Sequence, residues 1–418
     1  MQISRRAALL GLLSLLCFQA APAQTGFYLN DGDRVVFYGD SITDQRLYTT
    51  FVETYVVTRF PQMRVTFVHS GWGGDRVTGG GGGPIDVRLP RDVFAYKPNV
   101  MTIMLGMNDG SYRAFDRQIF ETYAAGYQHI IQSTKEALPG IRITVIEPSP
   151  FDDVTRAPNF EGGYNKVMAR YGEFVKELAE KEKLTLADMN TPVVAALEKA
   201  NKLDADGAKK LVPDRVHPGP AGHLLMAEAL LKAWHAPATV ASVEIDAAGS
   251  KVVGATNAHV TDLTAGNRVA WSQTDDALPM AVDMKDTAVA LALRVSDFME
   301  ALDQESLRVT GLTAARYTLK IDDATVGSFT KEELAAGVNL AALPTPMAAQ
   351  AAAVHDLTLK HNTVHFARWR QIQVPLAEVQ ADRKQPAMDA IDALDAELVT
   401  EQRAAAQAKP HRFELTAQ

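Results

Sequence analysis

Tyr38-Gly39-Asp40-Ser41-Ile42-Thr43-Asp44 follows the apolar run Arg34-Val35-Val36-Phe37. The run reads as a buried strand, and a helical pattern begins just after the serine. A strand that ends in Gly-Asp-Ser and turns into a helix exposes the serine Oγ at the turn. Backbone N–H groups at the helix start point outward there, as a nucleophile and half of an oxyanion hole require. The tripeptide alone occurs by chance in turns, so its weight depends on partners further along the chain.

Three later blocks supply them. Val68-His69-Ser70-Gly71-Trp72-Gly73-Gly74-Asp75 follows the strand-like Arg64–Phe67, and Gly106-Met107-Asn108-Asp109 follows the apolar run Val100–Leu105. The last is Pro213-Asp214-Arg215-Val216-His217-Pro218. An acid three residues before a histidine lets one loop carry both, with the carboxylate on Nδ1–H and Nε2 free to face the serine.

These blocks resemble those of the SGNH hydrolases, the GDSL esterase/lipase family, over roughly Asp33 to His235, about half of the chain. The resemblance implies Ser41 as nucleophile and Asp214 and His217 as its acid and base. It also implies an oxyanion hole from the N–H of Ser41, the N–H of a glycine and the side-chain amide of Asn108. Gly71 and Gly74 are both candidates for that glycine, and the spacing to Asp75 favours Gly74. Many members carry Asn where this chain has His69, which is expected to support the turn. Asp40 and Asp109 are expected to brace their turns. Ester hydrolysis by such a set needs no metal or organic cofactor.

The wider pattern agrees. Apolar runs at 34–38, 64–69, 99–105, 141–147 and 184–188 alternate with helical spacing over Leu47–Phe60, Asp116–Leu138 and Tyr164–Glu182. That alternation predicts an α/β fold, a parallel sheet flanked by helices (flavodoxin-like), with a closing helix near Ala221–Ala236. Sites in such sheets lie at the carboxyl ends of the strands, where Ser41, Gly74 and Asn108 each fall. Beyond Pro237 short alternating runs appear: Ala241–Ile245, Val289–Val295 and Tyr317–Ile321. Thr330-Lys331-Glu332-Glu333 reads as a capping box. An Ala-rich helix is expected from Met347 to about Arg370, and another opening at Pro386. The division is a leader over 1–23, a hydrolase domain over 24–237, a β-rich accessory region over 238–346 and a helical C-terminal region over 347–418.

The leader has Arg5 and Arg6, an apolar stretch from Ala7 to Phe18 and Ala21-Pro22-Ala23 as a cleavage site. It predicts export to the periplasm or outside the cell, and is too short to span a bilayer. Ser4-Arg5-Arg6 is also compatible with twin-arginine export. No stable membrane insertion is expected once it is removed. The only cysteine, Cys17, lies in it, so the mature chain has no disulfide. The net charge of −8 argues against sequence-independent nucleic-acid binding.

Other motifs have plainer readings. The glycines Gly79–Gly83 lack the Lys-Ser/Thr of a phosphate loop and read as a loop beside the site. Trp72 is a candidate substrate contact, with packing the competing role. His223 reads as structural; His361 and His365 share a helix face without a third metal ligand. Trp369, between Arg368 and Arg370, reads as a packing edge. The expected function is a serine esterase acting on carboxylic esters, with O-acetyl groups on polysaccharides or oligosaccharides as the preferred substrate. The alternatives are a lipid or thioester acylhydrolase and a non-catalytic glycan-binding protein on a hydrolase scaffold.

Overall fold

The computed structural model describes residues 26–266 and 268–418. The leader lies outside them. Five strands form one parallel sheet in the spatial order Thr66–Gly71, Arg34–Gly39, Val100–Met104, Arg142–Ile146, Thr185–Ala187. The strands rich in β-branched residues lie in the middle, and Val100–Met104 is buried at all five positions. The chain starts beside the edge, adds one strand outward, then crosses back to build the other side. This order places a topological switch point between Arg34–Gly39 and Val100–Met104, where clefts form at the carboxyl ends. Gly39 pairs with Gly71 on one side and Met104 on the other. The three strand ends therefore stop level, and the blocks that follow them emerge on one edge.

Helices Leu47–Arg59, Arg117–Ala137, Gly163–Glu182, Thr191–Leu203 and Pro220–Ala233 flank the sheet. Leu47–Arg59 is buried at every position but Leu47, because the hydrolase core covers one side and the C-terminal helix Pro346–Phe366 the other. The segment after Gly79 holds a two-stranded turn and then an unexpected helix, Ile85–Asp92, which tolerates Pro90 inside it.

The accessory region contains two sheets. One is antiparallel, in the order Ala258–Thr264, Arg268–Asp275, Pro410–Ala417, Arg316–Ile321, Ala324–Thr330. The other runs Val338–Asn339, Gln304–Thr310, Thr239–Asp246, Lys251–Thr256. Val243, Ile245, Leu307 and Val309 from the second meet Trp271, Leu319, Phe413 and Leu415 from the first in one core.

Three expectations are corrected. Val289–Val295 is not a strand but part of helix Thr287–Val295, started by Asp286, whose carboxylate accepts from the N–H of Ala288 and Val289. It buries Ala288, Leu291, Ala292 and Val295 at helical spacing, and the alanines and leucines favour that state. The terminal helix runs Ala381–Ala405 with Pro386 inside, because the helix formers just before the proline carry it back more than a turn. Residues 410–417, expected to be helical, form the strand between Arg268–Asp275 and Arg316–Ile321. The capping box stands: Thr330 Oγ1 accepts from Glu333 N–H, and the Glu333 carboxylate accepts from Thr330 N–H. No helix among the described residues is long and apolar enough to cross a membrane.

Candidate active site

Ser41 is the first residue of a one-turn helix, Ser41–Asp44, whose N-cap is Asp40. The Asp40 carboxylate accepts from Ile42 N–H at 3.0 Å, which holds the turn. Ser41 Oγ lies 2.9 Å from His217 Nε2, and His217 Nδ1 lies 2.8 Å from Asp214 Oδ2. The other oxygen of Asp214 accepts from the backbone N–H of Val216 and His217, at 3.0 and 2.7 Å. Partial burial pushes Asp214 up, but these N–H groups and the His217 ring outweigh it and hold the carboxyl below its ordinary range. An ionised Asp214 fixes the tautomer with the proton on Nδ1 and leaves Nε2 to accept from the serine.

The loop carrying this pair is anchored by Arg215, which sequence reasoning passed over. Arg215 takes left-handed backbone, φ 76°. Its guanidinium donates to Asn159 Oδ1 at 3.2 Å and Ala157 O at 2.6 Å, and its carbonyl accepts from Asp152 N–H at 2.9 Å. Strained backbone of this kind persists where its surroundings over-determine it.

Asn108 and Gly74 lie on the neighbouring strand ends. Asn108 Nδ2 donates to the Asp75 carbonyl at 3.0 Å, and its Oδ1 accepts from Tyr112 Oη at 2.9 Å. That ties the Asn108 loop to the residue after Gly74. Gly74 has φ 78°, is exposed, and has open space where a Cβ would be. The N–H of its neighbour Gly73 is taken by Asp44 Oδ2 at 3.1 Å. Gly71 is different: a Cβ there would stand 2.2 Å from Asp44 N. Its lack of a side chain serves close packing of strand against turn.

Trp72 is half-buried. The Arg370 guanidinium lies over its ring at 3.3 Å, Arg88 lies 5.0 Å from it, and Trp369 meets it edge-on at 5.6 Å. The ring face under Arg370 is not open to a sugar. Arg370 also reaches Asp44 at 3.6 Å, while Trp369 is buried and donates from Nε1 to Asp92 Oδ1 at 2.7 Å. The C-terminal region thus forms one wall beside the nucleophile turn.

Buried acids underlie the site. Burial pushes Asp40, Asp75 and Asp109 each up to about 7. Asp109 accepts from Val77 N–H at 2.9 Å, and Asp75 faces Arg88 at 3.1 Å, so all three bind loops and turns together. His69 donates to Glu53 Oε2 at 3.2 Å and accepts from Thr49 Oγ1 at 2.7 Å. His223 accepts from Tyr48 N–H at 3.2 Å and donates to Gln45 Oε1 at 2.8 Å; burial pushes it down to about 3, keeping it neutral. Among the described residues no group of three or more His, Cys, Asp or Glu is placed to hold a metal ion.

Residues 37–225 match the GDSL-like Lipase/Acylhydrolase family. The chain carries an SGNH/GDSL hydrolase domain. Ser41, Asp214 and His217 all lie within the matched residues, in the arrangement of a serine esterase. The chain is 27% identical over 226 residues to an acetylxylan esterase of Geobacillus stearothermophilus, covering 49% of this chain and 94% of that protein. A crystal structure of the Geobacillus acetylxylan esterase aligns with a TM-score of 0.41 at 25% identity, over 50% of this chain and 96% of that one. The structure of a gut microbial diltiazem-metabolizing enzyme aligns with a TM-score of 0.80 at 26% identity, over 93% of this chain and 98% of that one. That alignment extends well beyond residues 37–225, over nearly the whole length of both chains.

Proposed function

We propose that the protein is an exported esterase that removes O-acetyl groups from polysaccharides or oligosaccharides through an acyl-enzyme. The observation that carries the reading is the line Ser41 Oγ, His217 Nε2, His217 Nδ1, Asp214 Oδ2, with gaps of 2.9 and 2.8 Å. In this mechanism Ser41 Oγ attacks the ester carbonyl carbon while its proton passes to His217 Nε2. Negative charge gathers on the carbonyl oxygen, where the N–H of Ser41, the N–H of Gly74 and the free Nδ2–H of Asn108 receive it. Collapse breaks the bond to the sugar oxygen, and His217 returns the proton to the departing alcohol. Water, deprotonated by His217, then attacks the acyl-serine and releases acetate. Asp214 stabilises the imidazolium in both halves.

The acetyl-glycan preference draws on the curated relative named as an acetylxylan esterase. Export draws on the composition of residues 1–23. The test is acetate release from acetylated xylan, pectin and xylo-oligosaccharides by wild type and Ser41→Ala. Release that vanishes in the variant supports the reading. No release from any of them, with good turnover of long-chain aryl esters, overturns the substrate in favour of a lipid or thioester acylhydrolase. Tight glycan binding without turnover would indicate a non-catalytic binder. N-terminal sequencing of protein recovered from the periplasm or medium tests export, with cleavage after Ala23 as the expected result.

A further inference from the structure

Among the described residues Tyr112 is the one aromatic that stands out as a large exposed apolar side chain, at 45% exposure. It and Ser111 both hold left-handed backbone, with φ of 53° and 57°. Two successive non-glycine residues in that region are costly and call for a reason in the surrounding structure. Here the turn folds the chain back on itself, so that Tyr112 Oη reaches Asn108 Oδ1, four residues earlier, at 2.9 Å.

The direction of that hydrogen bond follows from its neighbour. The other end of the Asn108 amide faces the Asp75 carbonyl at 3.0 Å, and a carbonyl only accepts. The atom facing Asp75 must therefore be Nδ2, the atom facing Tyr112 must be Oδ1, and the phenol must donate. Both ends of the amide are held, and one Nδ2–H remains uncommitted. A hydroxyl donating to Oδ1 also draws charge from the amide nitrogen and makes that N–H a better donor.

The ring is itself held in place. Tyr164 lies 5.1 Å and Phe151 6.3 Å from it, centroid to centroid. Tyr164 in turn donates to Met107 O at 2.6 Å, on the same loop as Asn108. Burial and then the carboxylates of Asp40 and Asp214 push the Tyr112 phenol up to about 12, so it stays a donor through neutral pH.

We propose that Tyr112 is a positioning residue: its hydroxyl fixes the orientation of the Asn108 amide and primes its free N–H for the oxyanion. The inference rests on the reading of Asn108 as an oxyanion donor. Substrate need not touch the phenol for this role.

The test is a double-mutant cycle of Tyr112→Phe and Asn108→Ala on the full chain, with p-nitrophenyl acetate as substrate and melting temperature as the control for folding. Asn108→Ala should lower kcat by about 10²–10³-fold. Tyr112→Phe keeps the ring and should lower kcat by about threefold to tenfold, the scale of one hydrogen bond, with KM unchanged. Added to Asn108→Ala, Tyr112→Phe should cost nothing further. A drop in kcat for Asn108→Ala with wild-type kcat for Tyr112→Phe overturns the positioning role and leaves the oxyanion reading standing. The same fractional loss in both backgrounds also overturns it, because the phenol would then act apart from Asn108. Wild-type kcat in Asn108→Ala removes the oxyanion reading and the inference together. A change confined to melting temperature or to KM would assign the phenol to folding or to substrate binding instead.

Discussion

His361 Nε2 lies 2.6 Å from Glu53 Oε1, joining the C-terminal helix to the helix that follows the nucleophile turn. Glu53 is buried and also accepts from His69, Asn362 and Gln402, at 3.2, 3.4 and 3.1 Å. Burial would push the carboxyl up, but His361 and His69 outweigh it and hold Glu53 well below the carboxylate range. Burial would likewise push His361 down, but Glu53 and Asp395 hold it up at about 10. His69, lowered by burial against the pull of Glu53, is the neutral member.

This pair predicts how stability follows pH. The raised histidine contributes fully below its ordinary value of 6.5, and that contribution fades as pH climbs to about 10. The depressed carboxyl contributes fully above its ordinary 4.5 and fades as pH falls below that. The gap in melting temperature between wild type and Glu53→Gln should be widest between those values and shrink from pH 6.5 toward 10. A gap that stays constant over that range would mean that His361 is not charged in the fold.

The two candidate oxyanion glycines, Gly71 at the end of its strand and Gly74 in the loop beyond, should separate cleanly. Gly71→Ala drives a Cβ into the backbone of Asp44, so folded yield and melting temperature should fall. Gly74→Ala has open space, and its positive φ costs on the order of 1 kcal/mol. It should fold and lose turnover. Thermal melts and kcat on purified, folded protein distinguish the cases, and normal turnover in Gly74→Ala would move the oxyanion assignment away from Gly74.

Ser41→Ala and His217→Ala should lose activity to about the same residual level, and the double variant should lose little more, since the members act as a unit. Single-substrate kinetics on all three proteins checks this. Additive losses would mean that the 2.9 Å contact between them is not the one used in turnover.

Arg370→Ala removes the cation over Trp72 and the partner of Asp44. The lost ring contact should cost about 0.5–2 kcal/mol of stability. Burial already raises Asp44 against the pull of Arg370, so the variant should raise it further. Because ionised Asp44 holds Gly73 N–H, the fall of activity on the acid side should begin at a higher pH in the variant. Superimposable pH profiles would show that this wall does not act on the oxyanion loop.

The strands of the catalytic sheet are legible because each is a short apolar run; the blocks bearing Ser41 and Asn108 follow two of their ends, while Asp214 and His217 stand out by their own spacing in the loop before helix Pro220–Ala233. Tyr112 and Arg215 carry no local signal: left-handed backbone turns Tyr112 back onto Asn108, and Arg215 finds its partners in the distant segment 152–159. Val289–Val295 shows no clear helical period in the sequence, since an apolar run buried on most sides resembles a strand. Glu53 is one acid in a helix of mostly apolar and neutral residues and carries no signal of its own; the Pro346–Phe366 helix packed over it makes it interior. Pro410–Ala417 pairs with strands far back along the chain, and such partnership is not written in any window of sequence.

That last pairing sets the order in which the molecule can be built on the ribosome. The catalytic sheet has all its strands once Ala187 is made, whereas Arg268–Asp275 and Arg316–Ile321 wait for residues 410–417 to come between them. At roughly 5–20 residues per second the wait is on the order of 5–30 s, with two unpaired edges open to other nascent chains. A ribosome that stops after Thr330 and before Pro410 would release a product with a complete catalytic sheet and an adhesive accessory one.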